Sequence, residues 1–148
     1  MKEFVVQQQV KTSSELEVLQ TFLRINQLPA DDIHLENSVF LTYYNTSENL
    51  VGSGGLEIYT DKALLRSLAV SQELRGQQLG KQIVNDLLQK AKDLSMKEVY
   101  LLTETAFYFF QKLGFEELKR DEVPSVIQAS TEYSQMCSTS ANVMRLSL

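Results

Sequence analysis

Arg75, Gly76, Gly80 and Lys81 form the stretch whose residue types and spacing point most directly to chemistry. They lie between an apolar run, residues 63–70, and a series at helical spacing, Leu79, Ile83, Val84, Leu87, Leu88, Ala91 and Leu94. Strand, glycine-containing loop and helix make an anion site. Amides at a helix start lack a partner within the helix, the helix dipole favours negative charge there, and glycine lets a phosphate come close to the backbone. The full loop, Arg75, Gly76, Gln77, Gln78, Leu79, Gly80 and Lys81, has a cation at each end. Neither common nucleotide fingerprint fits it. A P-loop needs four residues between its first Gly and the Gly-Lys pair, then Ser or Thr; here there are three, and Gln82 follows. A dinucleotide loop needs three glycines, and two are present.

Two charges stand in otherwise apolar strand-like runs: Glu57 in GGLEIY and Arg66 in LLRSL. Charges in such settings are expensive unless paired. A two-residue turn at Asp61-Lys62 would set Glu57 directly opposite Arg66 on one face, so a structural ion pair is one reading of both.

The elements that must carry these residues can be traced along the chain. Phe4, Val6 and Val10 mark a short edge strand. Thr12 with Glu15, and Ser14 with Glu17, have capping-box spacing, and Leu16, Leu19, Phe22 and Leu23 make an apolar helical stripe ending near Asn26. Pro29 and Asp31-Asp32 mark a loop or short helix, and His34, the only histidine, is read there as an inert surface residue. Strand-like runs at 38–44, 50–59 and 63–70, separated by short polar turns, predict an antiparallel meander. Beyond the loop and its helix, residues 98–102 read as a strand, 104–113 as a short helix, 115–119 and 141–146 as strands, and 130–132 as the start of a helical turn. The predicted class is α+β: one domain over residues 1–148, with a mixed, mostly antiparallel sheet flanked by helices. The four aromatics Phe107, Tyr108, Phe109 and Phe110 are expected in the core, with Phe109 or Phe110 beside a ligand as the second choice.

Composition bounds the partners. A chain of 148 residues, 43% hydrophobic and 22% charged, is an ordinary single globular domain with no apolar stretch long enough to span a bilayer. Its net charge of -5 argues against nucleic acid, whose binding needs clustered Lys and Arg. Without the apolar segment and cleavage site of a secretory signal, a cytoplasmic location is expected. Cys137 is the only cysteine, so neither an internal disulfide nor a cysteine-rich metal site is possible, and no metal is assigned.

Leu68-Ala69-Val70 followed by Arg75 and Gly80 resembles the acetyl-CoA loop of the GNAT N-acetyltransferases, whose pattern is Arg or Gln, two residues, Gly, one residue, Gly or Ala. The order of elements is similar to the GNAT fold over the whole chain. Gln78 stands where the family usually has its central glycine. Should that place demand a positive φ, Gln costs about 1 kcal/mol or more, and its side chain crowds a diphosphate. The resemblance implies transfer of an acetyl group from acetyl-CoA to a neutral amine of a small molecule. It places the coenzyme on Leu68, Ala69, Val70, the loop 75–81, Thr103 and Phe110, with a backbone amide within 68–70 facing the thioester oxygen. Phe110 occupies the position of the family's usual acid, a Tyr. A thiol with pKa about 8.5 can leave as its anion without one. Thr103 stands where many relatives carry an Asn. For the base the candidates are Glu57 and Glu104. In the functional reading of the charged pair, Arg66 holds an acid group of the substrate while Glu57 draws protons from its amine.

LLRSLAV, LLTETA, the Phe-Phe pair before Leu-Gly-Phe, and a tail with Cys137, Ala141 and Met144 resemble the GNAT branch found with arsenic-resistance genes, although Ser138 replaces that branch's Pro. Cys137 is then either a small hydrophobe or a thiol contact for the acceptor. Two rival functions stay open, an acyl-CoA-binding module of weak activity and an acetyltransferase of protein N-termini or Lys. A monomer or a homodimer is expected, since strands at both ends of the chain can pair between subunits.

Overall fold

Thr12 opens the first helix, α1 (Ser13–Ile25), through the predicted capping box. Its Oγ1 accepts from the Glu15 amide at 3.2 Å, and Glu15 Oε1 accepts from the Thr12 amide at 3.0 Å. Leu19, Phe22 and Leu23 are its buried stripe, and it ends at Asn26. The structure, a computed structural model, describes residues 5–75, 78–135 and 141–148. Around α1 the described residues build seven strands: β1 (Val6–Gln9), β2 (Ser38–Tyr44), β3 (Leu50–Tyr59), β4 (Lys62–Val70), β5 (Glu98–Thr103), β6 (Glu116–Leu118) and β7 (Asn142–Ser147). Four further helices are α2 (Leu79–Asp93), α3 (Phe107–Lys112), α4 (Ser125–Gln128) and α5 (Thr131–Gln135). The strands form one sheet in the order β1-β2-β3-β4-β5-β7-β6, antiparallel except for the central β4–β5 pair.

The period-2 alternation of the strands sorts the core into faces. Leu41, Leu56, Leu65, Val99 and Leu101 pack on one face with Ile83, Val84 and Leu87 of α2 and Phe110 of α3. A Cβ at Gly54 would stand 2.6 Å from Ile83, so glycine is what allows α2 to lie against β3. On the other face are two separate apolar clusters. One joins Phe40 and Ala69 to α1, and the other joins Leu64, Tyr100 and Val143 to Ile127 and Tyr133 of the α4–α5 segment.

Three expectations need correction. The β3–β4 turn is Thr60-Asp61, with Tyr59 opposite Lys62 and Thr60 at φ 62°, one residue earlier than the Asp61-Lys62 turn expected. Gly55 therefore faces Arg66, and Glu57 faces Leu64. The helix after β5 begins at Phe107 rather than at residue 104, because the Thr103 hydroxyl accepts from the Ala106 amide at 2.9 Å and holds 103–106 as a turn. Of the four aromatics only Phe110 is buried; Tyr108 is 73% exposed, since a helix of 6 residues on the sheet surface can turn only one side inward.

Candidate functional site

The parallel β4–β5 pair lasts for Lys62–Glu98, Ala63–Val99 and Leu64–Tyr100 and then stops. Its end coincides with a bulge in β4, where Ser67 and Leu68 together face Gly54 between the pairs Gly55–Arg66 and Ser53–Ala69. Ser67 takes the left-handed φ of 60°. It is held there by Ser53 Oγ, which donates to its carbonyl at 2.8 Å, and by Arg66 Nε, which donates to its Oγ at 3.2 Å. A bulge bends and twists its strand, and β4 leaves β5 here. The gap is a cleft of about 600 Å³. Leu65 to Leu68 form one wall, Leu101 to Ala106 and Phe110 the other, the α1–β2 connection covers one end, and Glu132 reaches in from α5.

The bare edge of β4 supplies donors. Ser71 N donates to Val51 O at 2.8 Å on the β3 side, and Gly52–Val70 and Ser53–Ala69 continue the pairing, so alternation turns the Leu68 and Val70 amides toward the gap. The Val70 carbonyl, on that same edge, accepts from Arg75 Nε at 3.2 Å. Immediately beyond lies the start of α2. Gln78 is its N-cap, left-handed at φ 67° and ψ 9°, without a side-chain capping bond. The first bond of the helix runs from the Gln82 amide to Gln78 O at 3.1 Å, which leaves the Leu79, Gly80 and Lys81 amides without an intrahelical acceptor. A Cβ on Gly80 would sit 3.5 Å from Phe109 and 3.9 Å from Val70, so this helix start abuts the end of β4.

Between the two apolar clusters of the other face lies a buried group of charges. The Arg66 guanidinium, on a residue 2% exposed, grips Asp32 with both terminal nitrogens, Nη1 to Oδ2 at 2.5 Å and Nη2 to Oδ1 at 2.8 Å. Nη1 also donates to Glu57 Oε2 at 3.2 Å, and the Tyr59 hydroxyl donates to Glu57 Oε1 at 2.9 Å. Four of the five guanidinium N–H groups are thus spent on Asp32, Glu57 and Ser67. The hydrogen bonds from Arg66 hold the Asp32 carboxyl below the usual range, while burial pushes the Tyr59 phenol up. Glu132 is 5% exposed, and its Oε2 has no hydrogen-bond partner among the described residues. Burial pushes its carboxyl up to about 8; the positive charge of Arg66 opposes that rise, and Glu57 and Asp32 add to it.

A split parallel pair with strand amides facing the gap and an open helix start at its end is an arrangement for holding a long anionic ligand along the backbone. Residues 9–115 match the Acetyltransferase (GNAT) family. The chain belongs to the GNAT family. A curated relative, an amino-acid acetyltransferase of Mycobacterium tuberculosis, is 34% identical over 90 residues, which cover 60% of this chain and 48% of the relative. The chain thus spans about half the length of that protein. Among solved structures it is similar to N-acetylglutamate synthase of Neisseria gonorrhoeae complexed with coenzyme A and N-acetyl-glutamate, with a TM-score of 0.78 at 17% identity over 100% of this chain and 36% of that one. It is also similar to a GNAT acetyltransferase of Staphylococcus aureus Mu50, with a TM-score of 0.72 at 19% identity over 98% and 99% of the two chains. These likenesses carry the fold, and the GNAT fold expected for the whole chain is the one found.

The residues expected in a GNAT site fall into three groups. Leu68, Thr103 and Phe110 line the cleft, and Val70, Arg75, Gln78, Leu79, Gly80 and Lys81 lie beyond it toward and along the start of α2, whereas Ala69 pairs with Ser53 and packs with the α1 cluster on the other face. Phe110 is buried against Phe109 and Phe115, with ring centroids 5.1 and 5.6 Å away. Glu57 and Arg66 form the expected pair but meet diagonally, and Arg66 keeps at most one N–H for a ligand; Glu104 is exposed on the cleft wall. Gly76, Gln77 and Cys137 lie outside the described residues. Two members of the charge cluster, Asp32 and Glu132, were read only as a loop residue and a helix start. One signal for them was available. An arginine fork inside an apolar strand asks for more acceptors than one carboxylate supplies.

Proposed function

We propose that this chain transfers an acetyl group from acetyl-CoA to the primary amine of a small, amino-acid-like molecule. The observation that carries the proposal is the gap beyond Leu64–Tyr100, with the Leu68 and Val70 amides facing it and the open start of α2 at its end. A diphosphate would take the Leu79, Gly80 and Lys81 amides, with Arg75 and Lys81 as exposed cations beside it. Packing supports this use of Gly80. A Cβ there would meet Phe109 only at an ordinary contact distance of 3.5 Å, so the neighbouring side chains do not demand a glycine. When bound, the coenzyme supplies an activated thioester, and the chain's part is to orient it. The Leu68 or Val70 amide would donate to the carbonyl oxygen where negative charge develops. Phe110, with no hydroxyl, would pack on the acyl arm and protonate nothing, so the thiolate leaves unassisted, as its ordinary acidity permits. Thr103 Oγ1 is engaged by the Ala106 amide and shapes the wall.

For the acceptor, the amino-acid acetyltransferase among the curated relatives supports a free amino acid or analogue. The expectation that Arg66 binds its carboxylate is replaced, because that guanidinium is already occupied by Asp32 and Glu57; we assign Arg66 to charge balance. Glu57 joins it there and Glu104 stays at the rim, so neither is retained as first choice for the base. The likeness to the arsenic-linked branch rests on short sequence stretches and adds arsenic-bearing amino acids to the acceptors worth testing.

Calorimetry with acetyl-CoA, followed by thiol release with amino acids, polyamines, arsenical amino acids and peptide N-termini, tests the proposal. Micromolar binding with turnover on a small amine is expected. A second reading, a coenzyme-binding module, is favoured by the left-handed Gln78 and by Phe110, and binding without turnover on any amine would establish it.

A further inference from the structure

We propose that Glu132 takes the proton from the acceptor's ammonium group before the amine attacks, an assignment that rests on the acetyltransferase reading and supplies its base. Three observations carry it. Glu132 lines the same cleft as Leu68, on the wall that α5 contributes. Its Oε2 is buried without a hydrogen-bond partner among the described residues, although a buried carboxylate oxygen is costly to leave unsatisfied. Finally, the charge count around it is one-sided. Asp32, Glu57 and Glu132 surround a single guanidinium, most of whose N–H groups are already spent on the first two and on Ser67. Among the described residues the cluster lacks a second cation, and an ammonium group brought in by the acceptor is one.

The rivals are placed less well. Glu57 is not part of the cleft lining and is fixed by the Tyr59 hydroxyl and Arg66. Glu104 is exposed at the cleft rim, away from the buried charges. The groups that act on Glu132 are Arg66 on β4, which favours its anion, and Glu57 on β3 and Asp32 before β2, which disfavour it; Tyr59 on β3 in turn feels its charge. Together with burial they leave it a base of about 8, matched to an amine near neutral pH. The reaction then balances. The ammonium gives one proton to the Glu132 carboxylate, and the neutral nitrogen forms its bond to the acyl carbon as the carbon–sulfur bond breaks. The sulfur leaves as the thiolate, and both the nitrogen's second proton and the proton on Glu132 pass to solvent.

The test is Glu132→Gln in the full chain, assayed with the acceptor that gives the fastest thiol release in the panel and with a second amine of different pKa. We expect kcat/KM at pH 8 to fall about 100-fold or more. The wild-type limb near pH 8, common to both amines, should vanish in the variant, while acetyl-CoA binds both proteins equally by calorimetry. Turnover within threefold of wild type at every pH, with acetyl-CoA bound, would overturn the assignment of Glu132 alone. Wild-type protein that binds no acetyl-CoA would overturn the acetyltransferase reading and this assignment with it. Glu132→Asp separates chemistry from packing: partial recovery of the limb supports the proposal, and activity as low as Gln with a normal melting curve and no limb counts against it.

Discussion

Glu57 and Arg66 meet on the diagonal of the β3–β4 ladder, Oε2 to Nη1 at 3.2 Å, while the residue opposite the arginine is Gly55. That offset leaves the guanidinium free to turn its fork toward Asp32, 34 residues earlier in the chain, and so ties the loop before β2 to the strand beside the cleft. Removing the cation should strand buried carboxylates. Arg66→Met is expected to cost about 3–5 kcal/mol, read as a lowered urea midpoint, and a cost under about 1 kcal/mol would show that the cluster does not need it.

The acid side of the pH profile follows from Asp32. Its folded pKa lies below the ordinary 3.8 of a free Asp side chain, so the unfolded chain binds more protons in that range. Stability from this contact is fully present above the unfolded pKa and is lost as pH falls through the folded one. Wild type should lose stability more steeply below about pH 4 than Asp32→Asn does, in melting curves taken from pH 6 downward.

Glu132 acts with the opposite sign. Its folded value near 8 stands above the 4.5 of a free side chain, so the stability contribution is complete below pH 4.5 and disappears as pH rises toward 8. Glu132→Gln keeps a neutral group there throughout. The melting temperature of the variant relative to wild type should therefore climb between pH 4.5 and 8 by several degrees, since each kcal/mol is worth about 2–4 °C in a chain of this size. A flat difference would place Glu132 in an ordinary environment.

Gly80 and Gln78 separate coenzyme contact from helix stability. Gly80→Ala has room beside Phe109 and improves helix propensity by about 1 kcal/mol, so it should raise the melting temperature while weakening acetyl-CoA about 10-fold by crowding the phosphates. Gln78→Gly removes the cost of a left-handed residue at φ 67°, about 1 kcal/mol, and should melt higher while binding acetyl-CoA no more weakly. Weaker binding in Gln78→Gly would mean that the Gln side chain itself holds the coenzyme.

What could be read from the residues divides along physical lines. β2 and β3 came out with their bounds because apolar runs ended at polar turns, and α1 because a capping box is a local code. The left-handed place at Gln78 was weighed from a motif and is now seen as a backbone angle. The turn at Thr60-Asp61 was missed by one residue because Thr there adopts a φ of 62° that its β-branched side chain disfavours. Nothing local announces the bulge at Ser67, which depends on the Ser53 hydroxyl across the ladder. Asp32 and Glu132 are 100 positions apart and come together only through the tertiary fold, so no window along the chain contains both.

The parting of β4 from β5 is made by main chain, by a bulge and by the loss of ladder bonds. Space along the strand edge therefore exists before anything enters it. Residues bordering the cleft on the α1–β2 connection carry none of that duty. Exchanging them should retune which amines are accepted while the donor keeps its berth, which makes that rim the place to begin in redirecting this scaffold by laboratory selection.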